Sequence, residues 1–149
     1  MSRMIFVNLP VEDLEASKRF YEAIGARNEP KFSNEAAAMM VLSDTINVML
    51  LSKPFYSTFT DKPIADAHAS SQVLLCVSCD SAAEVDRLVD AAAANGGRPD
   101  PGPKQDTGGM MYGRSFEDPD GHHWEPMWMD PQMAEQGAHP VESATAANG

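Results

Sequence analysis

A β-hairpin is predicted by residues 112–130, YGRSFEDPDGHHWEPMWMD. Its turn is residues 118–121, DPDG: proline presets φ, aspartate side chains accept from nearby backbone amides, and glycine tolerates positive φ. Aromatic and apolar residues flank the turn on both sides, as they do in strands that face a core: Tyr112, Phe116, Trp124, Met127 and Trp128. Glu125 lies in the middle of the second strand, where a carboxylate faces either water or a binding site.

The composition is that of one globular domain. The chain has 149 residues, of which 43% are hydrophobic and 22% charged, which is enough for a real core. The net charge is −11 and the pI about 4.6. Nucleic acids and anionic membranes attract clustered lysine and arginine, so we expect neither as a partner.

The location and redox state follow from two further patterns. No apolar run approaches the ~18 residues of a membrane span, and residues 1–14 lack the apolar region of a signal peptide, so we expect a cytoplasmic protein. Cys76 and Cys79 fall within the predicted strand 73–79 and, three residues apart, point to opposite faces. We therefore expect two buried, reduced thiols rather than a redox pair.

The first half of the chain predicts one strand, one helix and three short strands. A strand over residues 4–11 ends near Pro10, and a helix runs from an N-cap at Asp13 to Gly25. Phe20 and Tyr21 lie on its apolar stripe and are predicted to be core residues. The short strands are predicted at residues 31–33, 37–42 and 46–51.

The second half repeats this order after a long connection. Residues 52–71 contain two prolines and many small polar residues, which predicts a short helix over 64–69 or a mobile lid. A strand over 73–79 follows, and then a helix that begins at the capping box of residues 81–84. Residues 131–149 lack apolar periodicity and are predicted to be disordered.

This internal repeat of strand, aspartate, helix and glycine predicts the domain organisation. Neither copy can bury its sheet alone, so we expect two β-α-β-β-β modules whose sheets close around one cleft in an α+β fold. The predicted domain is residues 1–130, with module one at about 1–56, a linker or lid at about 57–71 and module two at about 72–130.

The final hairpin resembles that of the vicinal oxygen chelate superfamily, in which an aromatic residue, DPDGH, an apolar residue and a glutamate follow in order. This superfamily includes glyoxalase I, bleomycin-binding resistance proteins, fosfomycin-resistance transferases and extradiol dioxygenases. The resemblance covers residues 6–130. It implies a curved, barrel-like mixed sheet with helices outside and a homodimer, but it does not define the function.

The metal-binding positions of the superfamily carry unsuitable side chains here. In its metalloenzymes four positions supply ligands, and the resemblance matches them to Phe6, Met49, Leu74 and Glu125. Phenylalanine and leucine have no lone pair, and a thioether suits only soft metals. We therefore expect no metal and no other cofactor. Although His122 and His123 precede Glu125, the resemblance assigns them to the turn, away from the cleft.

Without a metal, a buried Glu125 needs another partner, because burying an unpaired carboxylate is costly. We expect it to be more buried than the other acidic residues, with Asn8, Ser115, Arg114 or a ligand amine beside it. By the same resemblance Gly113 and Ser115 face the cleft, whereas Tyr112 and Arg114 face it only if the strand is bulged.

Two functions of different class remain. The first is metal-independent binding of a small, weakly cationic or hydrogen-bond-donating molecule, similar to the bleomycin-resistance branch. The predicted binding residues are Phe6, Asn8, Met49, Leu74, Ser115, Glu125 and Met127. The alternative is a lyase or isomerase of glyoxalase type with Glu125 as the catalytic base, although relatives use a metal to stabilise the enediolate.

Overall fold

The computed structural model describes residues 2–137, and its elements follow the predicted order twice. The first copy consists of β1 (Ile5–Val11), α1 (Leu14–Ala23), β2 (Arg27–Glu29), β3 (Ala37–Val41) and β4 (Ile46–Ser52). The second consists of β5 (Leu75–Ser78), α3 (Ala82–Ala94), β6 (Arg98–Pro99), β7 (Gln105–Asp106), β8 (Met111–Gly113), β9 (Phe116–Glu117) and β10 (His123–Met129). Between the copies lies α2 (Lys53–Tyr56), and after them α4 (Pro131–Gln136).

Each copy forms one sheet with the same arrangement. The first sheet has the order β1-β4-β3-β2, and β1 pairs in parallel with β4. In the second sheet β10 pairs in parallel with β5 on one side and antiparallel with β8 and β9 on the other. One sheet curls into a half-barrel, and α1 and α3 pack against the sheets. The predicted α+β fold of two β-α-β-β-β modules is confirmed.

Both long helices begin where the sequence places their caps. The Asp13 carboxylate accepts from the Ala16 amide at 3.1 Å. At the start of α3, the Ser81 hydroxyl accepts from the Glu84 amide at 3.0 Å, and the Glu84 carboxylate accepts from the Asp80 amide at 2.6 Å. These bonds satisfy amides that have no partner within the helix.

The core joins the two copies through aromatic side chains. Phe20 and Tyr21 of α1 are fully buried, as predicted. The Phe20 ring centroid lies 5.9 Å from that of Phe116, and the Tyr21 centroid 6.0 Å from that of Trp124. The final hairpin therefore packs against the helix of the first copy, and one core serves the whole domain.

A buried hydrogen-bond network fixes the hairpin turn to this core. The Tyr21 hydroxyl donates to Asp118 Oδ2 at 2.7 Å and accepts from the Trp124 indole at 3.0 Å. Asp118 Oδ1 accepts from the amides of Asp120 and His122, both at 2.9 Å, as the turn motif predicts. Burial raises the pKa of Asp118, and burial together with the Asp118 charge raises the pKa of Tyr21 well above its usual value.

Two predicted elements of secondary structure are wrong. The strand predicted at 31–33 is replaced by a 3₁₀ turn over Pro30–Phe32, because the Glu29 carboxylate accepts from the Lys31 amide at 3.2 Å and caps it. The helix predicted over 64–69 is a single turn, because the Asp66 carboxylate accepts from the His68 amide at 3.0 Å and closes the chain locally.

Two further expectations need correction. Cys76 is exposed and Cys79 half-buried, because β5 is an edge strand, so the expectation of buried thiols is wrong. Residues 131–136 form α4, where disorder was expected, since Asp130 caps the helix by accepting from the Gln132 amide at 2.8 Å. The remainder of the predicted tail, 138–149, lies outside the described residues. None of the helices described is long and apolar enough to cross a membrane.

Candidate functional site

Each sheet has one face that packs on the helices and one that does not, and we call the latter the open face. Side chains alternate along a strand, so register assigns residues to faces. Asn8 pairs with Met49 and lies two residues from Phe6, which places these three side chains on the open face of the first sheet. On the second sheet Glu125 pairs with Cys76, and its open face also carries His123, Met127 and Ser115. The predicted site residues thus form two groups, one on each sheet.

The hairpin register decides which side chains accompany Glu125. Gly113 pairs with Met127 and Phe116 with Trp124, so the same offset runs through the hairpin without a bulge. Gly113 and Ser115 therefore share the face of Glu125, and Tyr112 and Arg114 do not. Ser115 is 2% exposed, and its hydroxyl accepts from the Gly102 amide at 3.0 Å.

Arg114 belongs to an ionic cluster on the other face. Its guanidinium binds both oxygens of Asp100, at 3.0 and 2.6 Å, and Asp86 at 2.9 Å. The Tyr112 hydroxyl donates to the same Asp86 oxygen at 2.7 Å. Hydrogen bonds from Tyr112 and Arg114 lower the pKa of Asp86, and those from Arg114 lower the pKa of Asp100. Arg114 is therefore engaged away from Glu125.

The partner of Glu125 is His123, at 3.1 Å between Oε2 and Nε2. His123 begins β10 on the same face, so its assignment to the turn is wrong. The Glu125 side chain is 40% exposed, whereas Asp118 is 2% exposed, so the expectation that Glu125 is the most buried acid is also wrong. The spacing of two residues in H-x-E carried this signal in the sequence, because such residues share a strand face.

The hydrogen bonds of the two hairpin histidines determine their tautomers. A carboxylate and a carbonyl oxygen only accept, so each ring nitrogen bound to one carries the proton. His123 donates from Nε2 to Glu125, and His122 donates from Nε2 to the Pro10 carbonyl at 2.9 Å. In the neutral form of either ring, Nδ1 is then a hydrogen-bond acceptor.

A cavity of about 900 Å³ lies between the free edges of β1 and β5, beneath the connection of residues 56–73. We call it the linker cavity, and residues 56–73 the linker. Polar groups line it on each side: Asn8 on β1, Lys62 and His68 on the linker, and Glu117, His122 and His123 on the hairpin. Sequence reasoning missed most of these because the path of a long connection is not encoded in local periodicity.

The residues at the family's metal positions do not fit a divalent ion. Phe6 and Leu74 are 46% and 55% exposed apolar side chains, and Met49 offers only a thioether. Within residues 2–137, no three histidine, cysteine, aspartate or glutamate side chains converge to hold a metal. Phe6, Met49, Leu74 and Glu125 therefore do not form a site for a divalent metal.

Cys76 stands beside Glu125 on the open face but is a poor nucleophile. Although the residue is exposed, partial desolvation of the thiol by its neighbours raises its pKa, and the neighbouring Glu125 charge raises that pKa further. Burial likewise raises the pKa of Cys79 to about 11. Since the thiolate is the reactive form, a raised pKa lowers the reactive fraction of each thiol.

Paired β-α-β-β-β modules, joined by one core and ended by a hairpin, define a glyoxalase-like domain. The chain belongs to the Glyoxalase/Bleomycin resistance protein/Dioxygenase superfamily, whose family model matches residues 3–125. A search of curated proteins gives no significant match.

Solved structures share the fold at low sequence identity. Hypothetical protein SA1046 from S. aureus is 25% identical, with a TM-score of 0.70 over 86% of this chain and 95% of that one. A glyoxalase-related enzyme from Fulvimarina pelagi is 22% identical, with a TM-score of 0.70 over 86% and 88%. The fosfomycin resistance protein FosX from Mesorhizobium loti is 20% identical, with a TM-score of 0.59 over 91% and 96%.

Proposed function

We propose that the protein binds a small, weakly cationic or hydrogen-bond-donating molecule in the cleft between its sheets, without a divalent metal. The observation that carries this proposal is the linker cavity, whose wall includes His123 held by Glu125. Its volume of about 900 Å³ is of the size that accommodates metabolites and drug-sized ligands.

The chemistry of the cavity wall favours a ligand with donors. His122 and His123 each direct Nε2 to a protein acceptor, so in their neutral forms Nδ1 of each ring offers an acceptor to a ligand. Asn8 and Glu117 add acceptor oxygens. A ligand amine or hydroxyl that bonds to His123 is supported by the Glu125 charge behind the ring, and in this proposal Glu125 acts through His123.

Of the predicted binding residues, Asn8 lines the linker cavity, and the others do not: Phe6, Met49, Leu74, Ser115, Glu125 and Met127. In this proposal Met49 and Met127 extend the site along the open faces. We further propose a homodimer in the cytoplasm, whose contacts involve the exposed apolar residues beside β1 and β5: Ile5, Phe6, Val73 and Leu74.

A thermal-shift screen of metabolites and antibiotics tests the binding proposal. Wild type, Glu125→Gln and the control Glu22→Gln are screened together, since Glu22 is exposed on α1 and its loss removes the same charge. We expect hits that stabilise the wild type and the control but not Glu125→Gln. Hits that stabilise all three equally would remove Glu125 from the site.

A second function is favoured by the same pair of residues. An imidazole oriented by a carboxylate is an effective general base, and Lys62 on the cavity wall provides a positive charge for a developing enediolate. The protein is then a lyase or isomerase in which the Glu125–His123 pair removes a proton next to a carbonyl. Turnover of methylglyoxal–thiol adducts, lost in Glu125→Gln, would favour this function over binding alone.

A further inference from the structure

We propose that Gly121 is a positioning residue for the linker cavity. Its missing side chain lets the linker turn of residues 66–68 rest directly on the hairpin turn, and this contact holds one wall of the cavity in place. The effect of Gly121 on ligand binding rests on the proposed function, because it requires the linker cavity to be the binding site. The contact between Gly121 and the linker does not.

The approach of the two turns leaves no room for a methyl group. A Cβ atom on Gly121 would lie 2.7 Å from the His68 backbone nitrogen and 2.8 Å from the Ala67 carbonyl carbon. These are backbone atoms, which cannot rotate away as a side chain can. Any residue other than glycine at this position therefore has to displace the linker or the hairpin turn.

The hairpin turn is the less movable of the two. The Gly121 amide donates to the Asp118 carbonyl at 3.0 Å, and Asp118 itself is buried and bound to Tyr21. The next residue, His122, holds the Pro10 carbonyl of β1 at 2.9 Å. One short segment thus joins three walls of the cavity: the hairpin, β1 and the linker.

The linker has few other attachments. Every residue between 57 and 72 is exposed or half-buried, so no side chain of this segment is anchored in the core. The turn at 66–70 is closed by its own hydrogen bonds, in which the Asp66 carboxylate binds the His68 amide and its carbonyl binds the amides of Ala69 and Ser70. A segment held by so few contacts opens locally when one of them is lost.

A matched pair of glycine substitutions separates this contact from backbone strain. Gly121 has a φ of 90° and Gly25 a φ of 106°, so alanine is strained at both positions. A Cβ atom on Gly25 would meet nothing within 4 Å. Gly25→Ala therefore reports strain alone, and Gly121→Ala reports strain together with displacement of the linker.

Hydrogen exchange of the backbone amides of His68, Ala69 and Ser70, followed by mass spectrometry, is the test. We expect exchange in the linker to be faster by roughly tenfold or more in Gly121→Ala, with α1 and β10 unchanged, and to be unaffected in Gly25→Ala. Equal linker exchange in the two variants would overturn the proposal. If Gly121→Ala does not fold while Gly25→Ala does, the larger loss supports the proposal, because strain is common to both variants; failure of both variants to fold would count against it.

The neutral dye N-phenyl-1-naphthylamine, which carries one N–H donor, serves as the probe of the cavity. We expect its affinity to fall at least severalfold in Gly121→Ala and to be unchanged in Gly25→Ala. Unchanged affinity in Gly121→Ala despite faster exchange would overturn the claim that the contact holds the cavity. If the exchange result is as expected but neither the dye nor any screened compound binds the wild type, the proposed function fails and the role of Gly121 stands.

Discussion

The hydrogen bond between His123 and Glu125 couples two side chains that face the same side of β10. Because the glutamate is 40% exposed and the histidine 20%, the pair remains in contact with solvent and contributes little to folding. The hydrogen bond orients the imidazole so that Nε2 points at Glu125 and donates to it. The two histidines that line the candidate site, His122 and His123, are thus each held in one orientation by a hydrogen bond to another protein group.

Tyr21 is the residue whose polar group matters most for folding. Its hydroxyl joins the buried Asp118 carboxylate to the Trp124 indole, so Tyr21→Phe leaves a buried charge and a buried donor without this partner. We expect the free energy of unfolding to fall by about 2 kcal/mol or more. Tyr112→Phe is the control, since its hydroxyl binds Asp86, which is 48% exposed, and should cost less than about 1 kcal/mol.

Chemical denaturation at pH 7 measures both variants. A loss of less than about 1 kcal/mol in Tyr21→Phe would contradict the assignment of this network as the anchor of the hairpin.

The face of Glu125 could be predicted from sequence, and its two-residue spacing from His123 also indicated the partner, although the resemblance assigned His123 to the turn. The DPDG turn sets the hairpin, and alternation then places Ser115 and Met127 beside the glutamate. The position of His123 in the strand was missed because β10 begins immediately after the turn residues Gly121 and His122. The sequence of a turn does not indicate at which residue strand pairing resumes. The cavity depends on contacts between residues far apart in sequence, such as Gly121 with His68, which local patterns do not encode.

Among the elements, those with strong periodicity or caps were predictable. The helices α1 and α3 begin at their caps, and β4 follows its apolar run. The strands β6 and β7 have two residues each and lie in a proline- and glycine-rich stretch, so their composition does not indicate a strand. Their conformation is set by pairing, β6 with β9 and β7 with β8. The incorrect helix over 64–69 has a local cause instead, since the Asp66 carboxylate binds the His68 amide and closes a single turn.

The last helix, α4, is an element on which the fold should not depend. None of its residues is buried, and Asp130, which caps it, is already held by a backbone bond to Met110 at 2.7 Å. We expect a chain ending at Asp130 to melt within about 4 °C of the full chain. Differential scanning calorimetry of both chains is the measurement, and a much larger drop would show that residues beyond 130 contribute to the folded body.

In the molecule as a whole, one core joins the two copies, and each sheet keeps one face that does not pack on the helices. The core joins α1 to the final hairpin and makes the two copies interdependent. Large apolar side chains are accessible at the edges of both sheets, including Ile5 at 56% and Leu74 at 55% exposure. Exposed apolar groups concentrated at two neighbouring edges are typical of an interaction surface.

We therefore predict a dimer that depends on these edges. Light scattering coupled to size exclusion should give twice the chain mass of 16.1 kDa. Phe6→Ser combined with Leu74→Ser should shift the protein towards the monomer, because both lie at the edges, whereas Phe32→Ser, equally apolar and 62% exposed, should not. A wild type that is monomeric at micromolar concentration would rule out the dimer.

The most direct test of the account is the dissociation constant of the strongest screened ligand, measured by calorimetry on chelator-treated protein. If binding is independent of metal and supported by Glu125, chelation leaves the wild-type affinity unchanged and Glu125→Gln weakens binding by about 2 kcal/mol, roughly thirtyfold. Binding that disappears on chelation and returns with a divalent metal would contradict the account, as would an affinity that is the same in Glu125→Gln and wild type.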